Sequence, residues 1–291
     1  MEPIELEDVK EKIERPIEKL IFKAEFTAGY VVRQVLEFYE KLIIHGIPFY
    51  FKEKDISIVT GTGGSKNSRR LISTMDIYTD DIIDYYLDPD LVNIQGDEET
   101  ESCYVEQFNI ELVKTFLKTI SKTCSIMFHK TTASDIVHVT IKGNATIRSG
   151  IKSGKYQTVE YDLSGFEDFS EKPNVRIDTG EFCTSIKGMT KDSGHTSFRV
   201  LKNGLFLENY SSNGATTKKG GFGKIPQTDI DDQQYFETKV SGSTIKALQK
   251  ISGMSTNSIV KITSEEDGYL QIRHKIGDFG EHRIYLVDTA K

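Results

Sequence analysis

Lysines placed at helical spacing are the residues here most able to do specific chemistry. In 109–122, apolar Val113, Phe116, Leu117 and Ile120 form one stripe, and Lys114, Lys118 and Lys122 follow at i, i+4 and i+8 on the other side. In 179–191, Phe182, Ile186 and Met189 are the apolar face and Lys187 and Lys191 lie opposite. In 241–252, Ile245, Leu248 and Ile251 oppose Lys246 and Lys250. A fourth segment, 28–42, turns Val31, Val35, Phe38 and Leu42 inward and Arg33 outward, with Glu37 and Glu40 diluting its charge. Rows of ammonium groups suit sequence-blind contact with phosphates. Outward lysines are also what any soluble amphipathic helix displays, so the pattern alone does not decide.

Covalent and metal chemistry finds little support. The glycine-rich stretches 61–66 and 214–224 do not fit G-x-x-x-x-G-K-[ST] and read as flexible hairpin loops. The six histidines (45, 129, 138, 195, 274, 282) show no zinc-ligand spacing. No G-x-S-x-G elbow marks a serine nucleophile. Carboxylate clusters at 79–81 and 229–232 fall in turn-like sequence, where such groups are usually solvated. Neither catalysis nor a cofactor nor a metal is expected.

The 291 residues carry a net charge of −7, with 37% hydrophobic and 28% charged residues, a soluble, globular composition. No apolar run approaches the ~20 residues that a membrane-spanning helix needs, and no export leader is evident. Cys103, Cys124 and Cys183 are odd in number and widely spaced, which favours free thiols in a reducing, intracellular setting. An acidic total opposes nucleic-acid binding only where affinity must come from phosphate neutralisation, and the distribution of charge matters more. The four helical segments hold nine Lys/Arg against four acids; the rest of the chain holds 28 against 40. Positive charge is therefore concentrated on the expected helices.

The elements that position these lysines recur in order. After residues 1–20, an acidic arm or helix broken by Pro16, strands are expected at 22–27, 49–52, 56–60, 70–75, 103–107, 125–129 and 136–141. The acidic stretch 161–174, with Gly165 and Pro173, reads as a linker. Beyond it come strands at 175–178, 195–200, 205–209, 235–240, 259–264, 269–275 and 283–287. Each half thus reads as strand, helix, strands, helix, strands, an order repeated without repeated residues.

In these segments the chain resembles the PCNA-like DNA sliding clamps, as a divergent member. FKAEFTAGYVVRQVLEFYEKLI (22–43) is similar to the family's first strand and helix, and TGEFCTSIKGMT (179–190) to its second-half helix start, with Lys187 in a basic position. The C-terminal IVKITSEEDGYLQIRHKIGDFGEHRIYLVDTAK is similar to its closing strands, with Ile276-Gly277-Asp278-Phe279-Gly280 as the turn before Ile284-Tyr285-Leu286. Departures include 59–65, where the family's serine-methionine-aspartate is not found, 88–100, and Asp288 in place of a proline.

The resemblance implies an α+β chain of two similar clamp domains, each with antiparallel sheets outside and two helices inside, assembling into a ring. Its expected parts are an N-terminal extension (1–20), clamp domain 1 (21–160), a connecting loop (161–174) and clamp domain 2 (175–291). It implies a non-enzymatic polymerase processivity factor, a homotrimeric ring around duplex DNA, at sites of replication and repair inside the cell. Arg33, Lys114, Lys118, Lys122, Lys187, Lys191, Lys246 and Lys250 would face DNA. Leu163, Phe166, Leu286 and Val287 would line a groove for the short hydrophobic motifs of polymerase and other partners, and a clamp loader would be required. The alternatives are a monomeric processivity factor, a subunit of a checkpoint-type hetero-ring, or a clamp-fold adaptor that no longer encircles DNA.

Overall fold

Alternating apolar residues build a molecule dominated by antiparallel strands, with helices wherever the period changes to 3.6. The computed structural model describes residues 18–42, 46–62, 71–92, 103–153, 173–189, 195–211, 213–214, 216–223, 234–255, 258–264 and 269–287. The first half contains β1 (Leu20–Phe26), α1 (Gly29–Leu42), β2 (Gly46–Phe51), β3 (Asp55–Thr62), β4 (Leu71–Tyr78), β5 (Asp84–Leu87), the single turn α2 (Pro89–Val92), β6 (Tyr104–Asn109), α3 (Ile110–Leu117), β7 (Ser125–Thr131), β8 (Ile136–Lys142) and β9 (Thr146–Lys152). The second contains β10 (Val175–Asp178), α4 (Thr179–Lys187), β11 (His195–Leu201), β12 (Gly204–Tyr210), β13 (Thr216–Gly223), β14 (Gln234–Ser241), α5 (Gly242–Leu248), α6 (Ile251–Met254), β15 (Ile259–Ser264), β16 (Tyr269–Ile276) and β17 (Gly280–Val287).

Strand order exposes the repeat. The first half supplies β1-β7-β8-β9, extended by β5, and β6-β2-β3-β4; the second supplies β10-β15-β16-β17 and β14-β11-β12-β13. The two halves follow the same plan. One pairing joins them: β17 runs antiparallel to β4 from Gly280↔Ile77 to Leu286↔Leu71, making a continuous eight-stranded sheet. The chain is of the α+β class, its two halves similar in strand order.

That junction is closely fitted. A Cβ on Gly280 would stand 2.5 Å from the carbonyl oxygen of Asp76, so only glycine allows this approach of the strands. Arg283 reaches Glu281 at 2.8 Å and Asp76 at 3.3 Å, while Arg273 holds the other side of Glu281 at 2.8 Å. Beneath them a chain of buried polar groups links four elements. Its direction follows from its end, because the Lys275 carbonyl can only accept. His274 Nδ1–H donates to it (2.8 Å), leaving His274 Nε2 to accept from His282 Nδ1–H (2.9 Å). His282 Nε2 accepts from the Ser73 hydroxyl (2.8 Å), which accepts from Tyr39 (3.2 Å). Both imidazoles are neutral in this arrangement.

Helices α1, α3, α4, α5 and α6 form one layer, with α1 packed on α3, α5 and α6, and α4 on α5 and α6. Side-chain caps fix their starts: Asn109 accepts from the amides of Glu111 (2.9 Å) and Leu112 (3.3 Å), Asp178 from those of Gly180 and Glu181, and Ser241 from that of Thr244. Apolar faces of sheets and helices meet in a core running through both halves, from Phe22 stacked on Phe51 (4.1 Å between centroids) to Phe182, Phe198 and Leu248.

Several expectations need correction. The helix expected at 109–122 ends at Leu117, because hydroxyl-bearing residues compete for its last carbonyls: Thr119 Oγ1 donates to Phe116 O at 2.6 Å. Lys118 and Lys122 therefore lie in turns. The helix expected at 179–191 ends at Lys187 within the described residues, and that expected at 241–252 is broken at Gln249–Lys250 into α5 and α6. The supposed loop at 214–224 is largely β13, paired with β12 from Gly204↔Gly223 to Tyr210↔Thr216. Glycine weakens a strand but does not forbid one at a sheet edge. Strands β5 and β9 were not anticipated.

Candidate nucleic-acid interface

The helix layer gathers basic residues from separate elements and answers several of them with acids. Arg33 on α1 donates from Nε to Glu37 Oε1 at 2.7 Å and from Nη1 to the Ile120 carbonyl at 2.9 Å. Lys250, in the turn before α6, closes on the other oxygen of the same Glu37. Burial pushes the Glu37 carboxyl upward, but the hydrogen bonds from Lys250 and Arg33 outweigh it and hold it below its usual range. Lys114 on α3 lies 2.9 Å from Glu111 and 3.7 Å from Glu40 on α1, and Lys41 lies 2.9 Å from Glu40. The hydrogen bond to Glu111 is the main reason the Lys114 ammonium is held above its ordinary value. Three of the eight expected DNA-facing cations are thus engaged with carboxylates of the same layer.

The others differ. Lys118 follows α3 and Lys246 lies on α5; both are exposed and have no ion pair among the described residues. Lys122 is exposed with its ammonium 5.8 Å from the centre of the Tyr30 ring, tying the turn after α3 to the start of α1. Lys187 is exposed in the last turn of α4. Lys191 lies outside the described residues. Chemically, this layer offers point charges for backbone phosphates.

The carboxylates Glu37 and Glu40 are the residues that counting lysines undervalued. The Arg33–Glu37 pair was visible as an i, i+4 spacing; the reach of Lys250 to Glu37 and of Lys114 to Glu40 was not, since it depends on helices distant in sequence meeting. Of the expected partner groove, Leu286 is fully buried in the core of β17 and Val287 is half-buried at the strand's end, where its carbonyl accepts from Thr238 Oγ1 at 3.4 Å. Leu163 and Phe166 lie outside the described residues.

No family model matches this sequence, and no curated protein does. Solved structures do. The proliferating cellular nuclear antigen of Entamoeba histolytica superposes with a TM-score of 0.67 over 92% of this chain and 98% of its own, at 14% identity. A chain from the PCNA2–PCNA3 complex of Sulfolobus tokodaii gives the same TM-score and identity over 92% of this chain and 100% of its own. The fold is that of a PCNA-like clamp. In this clamp fold the two matched halves, the continuous sheet through β17 and β4, and the helix layer are parts of one plan, which the likeness spans over 92% of the chain. The likeness lies in that plan and not in residue identity, which is 14%.

Proposed function

We propose that this chain is a protomer of a DNA sliding clamp, a non-enzymatic ring that encloses duplex DNA and tethers polymerase, replication and repair proteins to it. The observation that carries the reading is the internal repeat. In the second half the last strand, β17, pairs with β4, the third strand after the first helix of the other half. The equivalent strands by order and neighbours are β9 and β13, and neither has a second strand partner along its length among the described residues; β9 has one further bridge, Ser153 to Phe108, at its end. Repeating the β17–β4 junction between copies would therefore join β9 of one protomer to β13 of the next, head to tail, and such a contact closes into a ring when its rotation permits.

Encirclement also accommodates the charge. Topology holds the DNA, so Lys118, Lys122, Lys187 and Lys246 need only supply weak, sequence-blind contacts that allow sliding. An acidic remainder disfavours DNA on the outside. Partners would dock near the end of β17, where Val287 reaches the surface, together with Leu163 and Phe166 from the connecting stretch and Leu286 beneath; action would be at sites of DNA replication, with a loader opening the ring.

The test is topological. Assembled protein is threaded onto a linear duplex whose two ends are then blocked by bulky tags, and washed in high salt. Retention that vanishes when a nuclease cuts the duplex between the tags is the expected outcome. Equal loss from blocked and open duplexes would defeat encirclement.

A further inference from the structure

We infer that the outer face of the eight-stranded sheet, across β10, β15, β16 and β17, is a docking surface for an extended acidic segment of a partner protein. The surface stands on the sheet alone; only its link to the partner groove rests on the clamp reading above.

Strand register places four cations in one row. Arg176 lies opposite Lys261, Lys261 opposite Arg273, and Arg273 opposite Arg283. Their chain neighbours Ile177, Val260, Ile272 and Ile284 are buried in the core, so by alternation the row faces the other way. Arg176 is exposed and Lys261 half-buried, and neither has an ion pair among the described residues. Glu281 and Asp76 answer only Arg273 and Arg283, at 2.8–3.3 Å, at one end of the row. Lys275, two residues after Arg273 on the same face, is exposed and adds an ammonium that also has no ion pair among the described residues.

Like charges directly opposite each other across strands are destabilising. Three such pairs in succession, in a chain of net charge −7, form an arrangement that folding alone disfavours and a bound anion offsets. Geometry narrows the anion. Strands lie about 4.8 Å apart, so the row spans roughly 14 Å, and acids at i, i+2 and i+4 of an extended peptide span roughly 13 Å. Ile259, two residues before Lys261 on the same face, is 49% exposed and offers an apolar contact that a phosphate backbone does not use. A duplex is also broader than the row and would meet the acidic remainder of the surface. Along β17 this face continues from Arg283 through Tyr285 to Val287. On the clamp reading, the acidic segment therefore flanks the hydrophobic motif of the same partner.

Fluorescence anisotropy at low salt follows a labelled peptide of alternating glutamate and threonine ending in leucine, mixed with the full chain. The wild type is expected to bind this peptide, to release it at high salt, and to ignore a counterpart with glutamine in place of glutamate. Arg176→Gln with Lys261→Gln is expected to bind roughly 5-fold or more weakly. Its melting temperature should be unchanged or higher, because the charges removed repel each other. Lys118→Gln with Lys246→Gln, in the helix layer, should bind the peptide as the wild type does. A wild type that leaves the peptide free or takes the glutamine counterpart equally, a folded row variant that binds undiminished, or a loss confined to the helix-layer variant would each overturn the inference. Wild type and row variant are then threaded onto the end-blocked duplex, where equal retention is expected. Retention lost only by the row variant would assign the row to nucleic acid and overturn the docking surface. Loss by both would defeat the clamp reading alone and leave the peptide result standing.

Discussion

Glu37 receives Arg33 from its own helix and Lys250 from the other half of the molecule, on a side chain only 12% exposed. Replacing it with Gln removes the charge that both cations answer, and a loss of about 1–3 kcal/mol in unfolding free energy is expected from charge-assisted bonds of this kind. Because its folded pKa is depressed, the contribution is complete above the ordinary carboxylate range and disappears as pH falls through the folded value. Urea titrations of wild type and Glu37→Gln should therefore converge in acid; a constant gap down to pH 3 would contradict the assignment. The two buried histidines act in a higher window. Burial pushes His274 down to about 4, against the opposing pull of the Lys275 carbonyl and Glu281, and burial together with His274 takes His282 well below its usual value. Between pH 6.5 and about 4 the unfolded chain binds protons that the folded chain refuses. Stability is thus complete above pH 6.5 and declines on acidification, with His274 alone worth on the order of 3 kcal/mol. Unfolding midpoints at pH 7.5, 6 and 4.5 should fall in that order. Of these two networks only the i, i+4 spacing of Arg33 and Glu37 is legible in the sequence: His274 and His282 advertise no motif, and their meaning arises from β16, β17, β4 and α1 lying together.

At the scale of elements, the apolar stripes named the helices correctly and misplaced their ends. Val113, Phe116 and Leu117 are buried as their spacing required, but Thr119 and its neighbours end α3 through side-chain bonds that a periodic pattern does not register. Strand β13 escaped notice for a related reason, since three glycines and two lysines in eight residues lack the β-branched content that marks a strand. Strand pairing, not propensity, makes it extended. The contact between α1 and α6 depends on a single absent methyl group: a Cβ on Gly253 would lie 2.5–2.7 Å from the Gln34 side chain. Gly253→Ala is expected to push the helices apart or displace Gln34, costing about 1–3 kcal/mol. Differential scanning calorimetry would show a melting temperature several degrees lower; an unchanged value would mean that Gln34 moves aside freely.

For the whole molecule, the sequence conveyed the two-part plan because element order survives when residue identity does not. It conveyed the candidate interface less well, since Lys114, Arg33 and Lys250 have partners that only the assembled helix layer supplies. Removing Lys118 and Lys246 together should lower DNA affinity without regard to sequence. If each neutralises one phosphate, the slope of log affinity against log salt should become shallower by about 2. Fluorescence anisotropy across a salt series reads this directly, and an unaltered slope would place both lysines away from DNA. Since β17 completes a sheet begun by β4, severing the backbone between 153 and 173 would leave each fragment with a raw strand where its other half had been. Expressed separately, such pieces should be sticky and poorly soluble; made in the same cell, they should find each other and restore a working protomer, a ready basis for a split reporter.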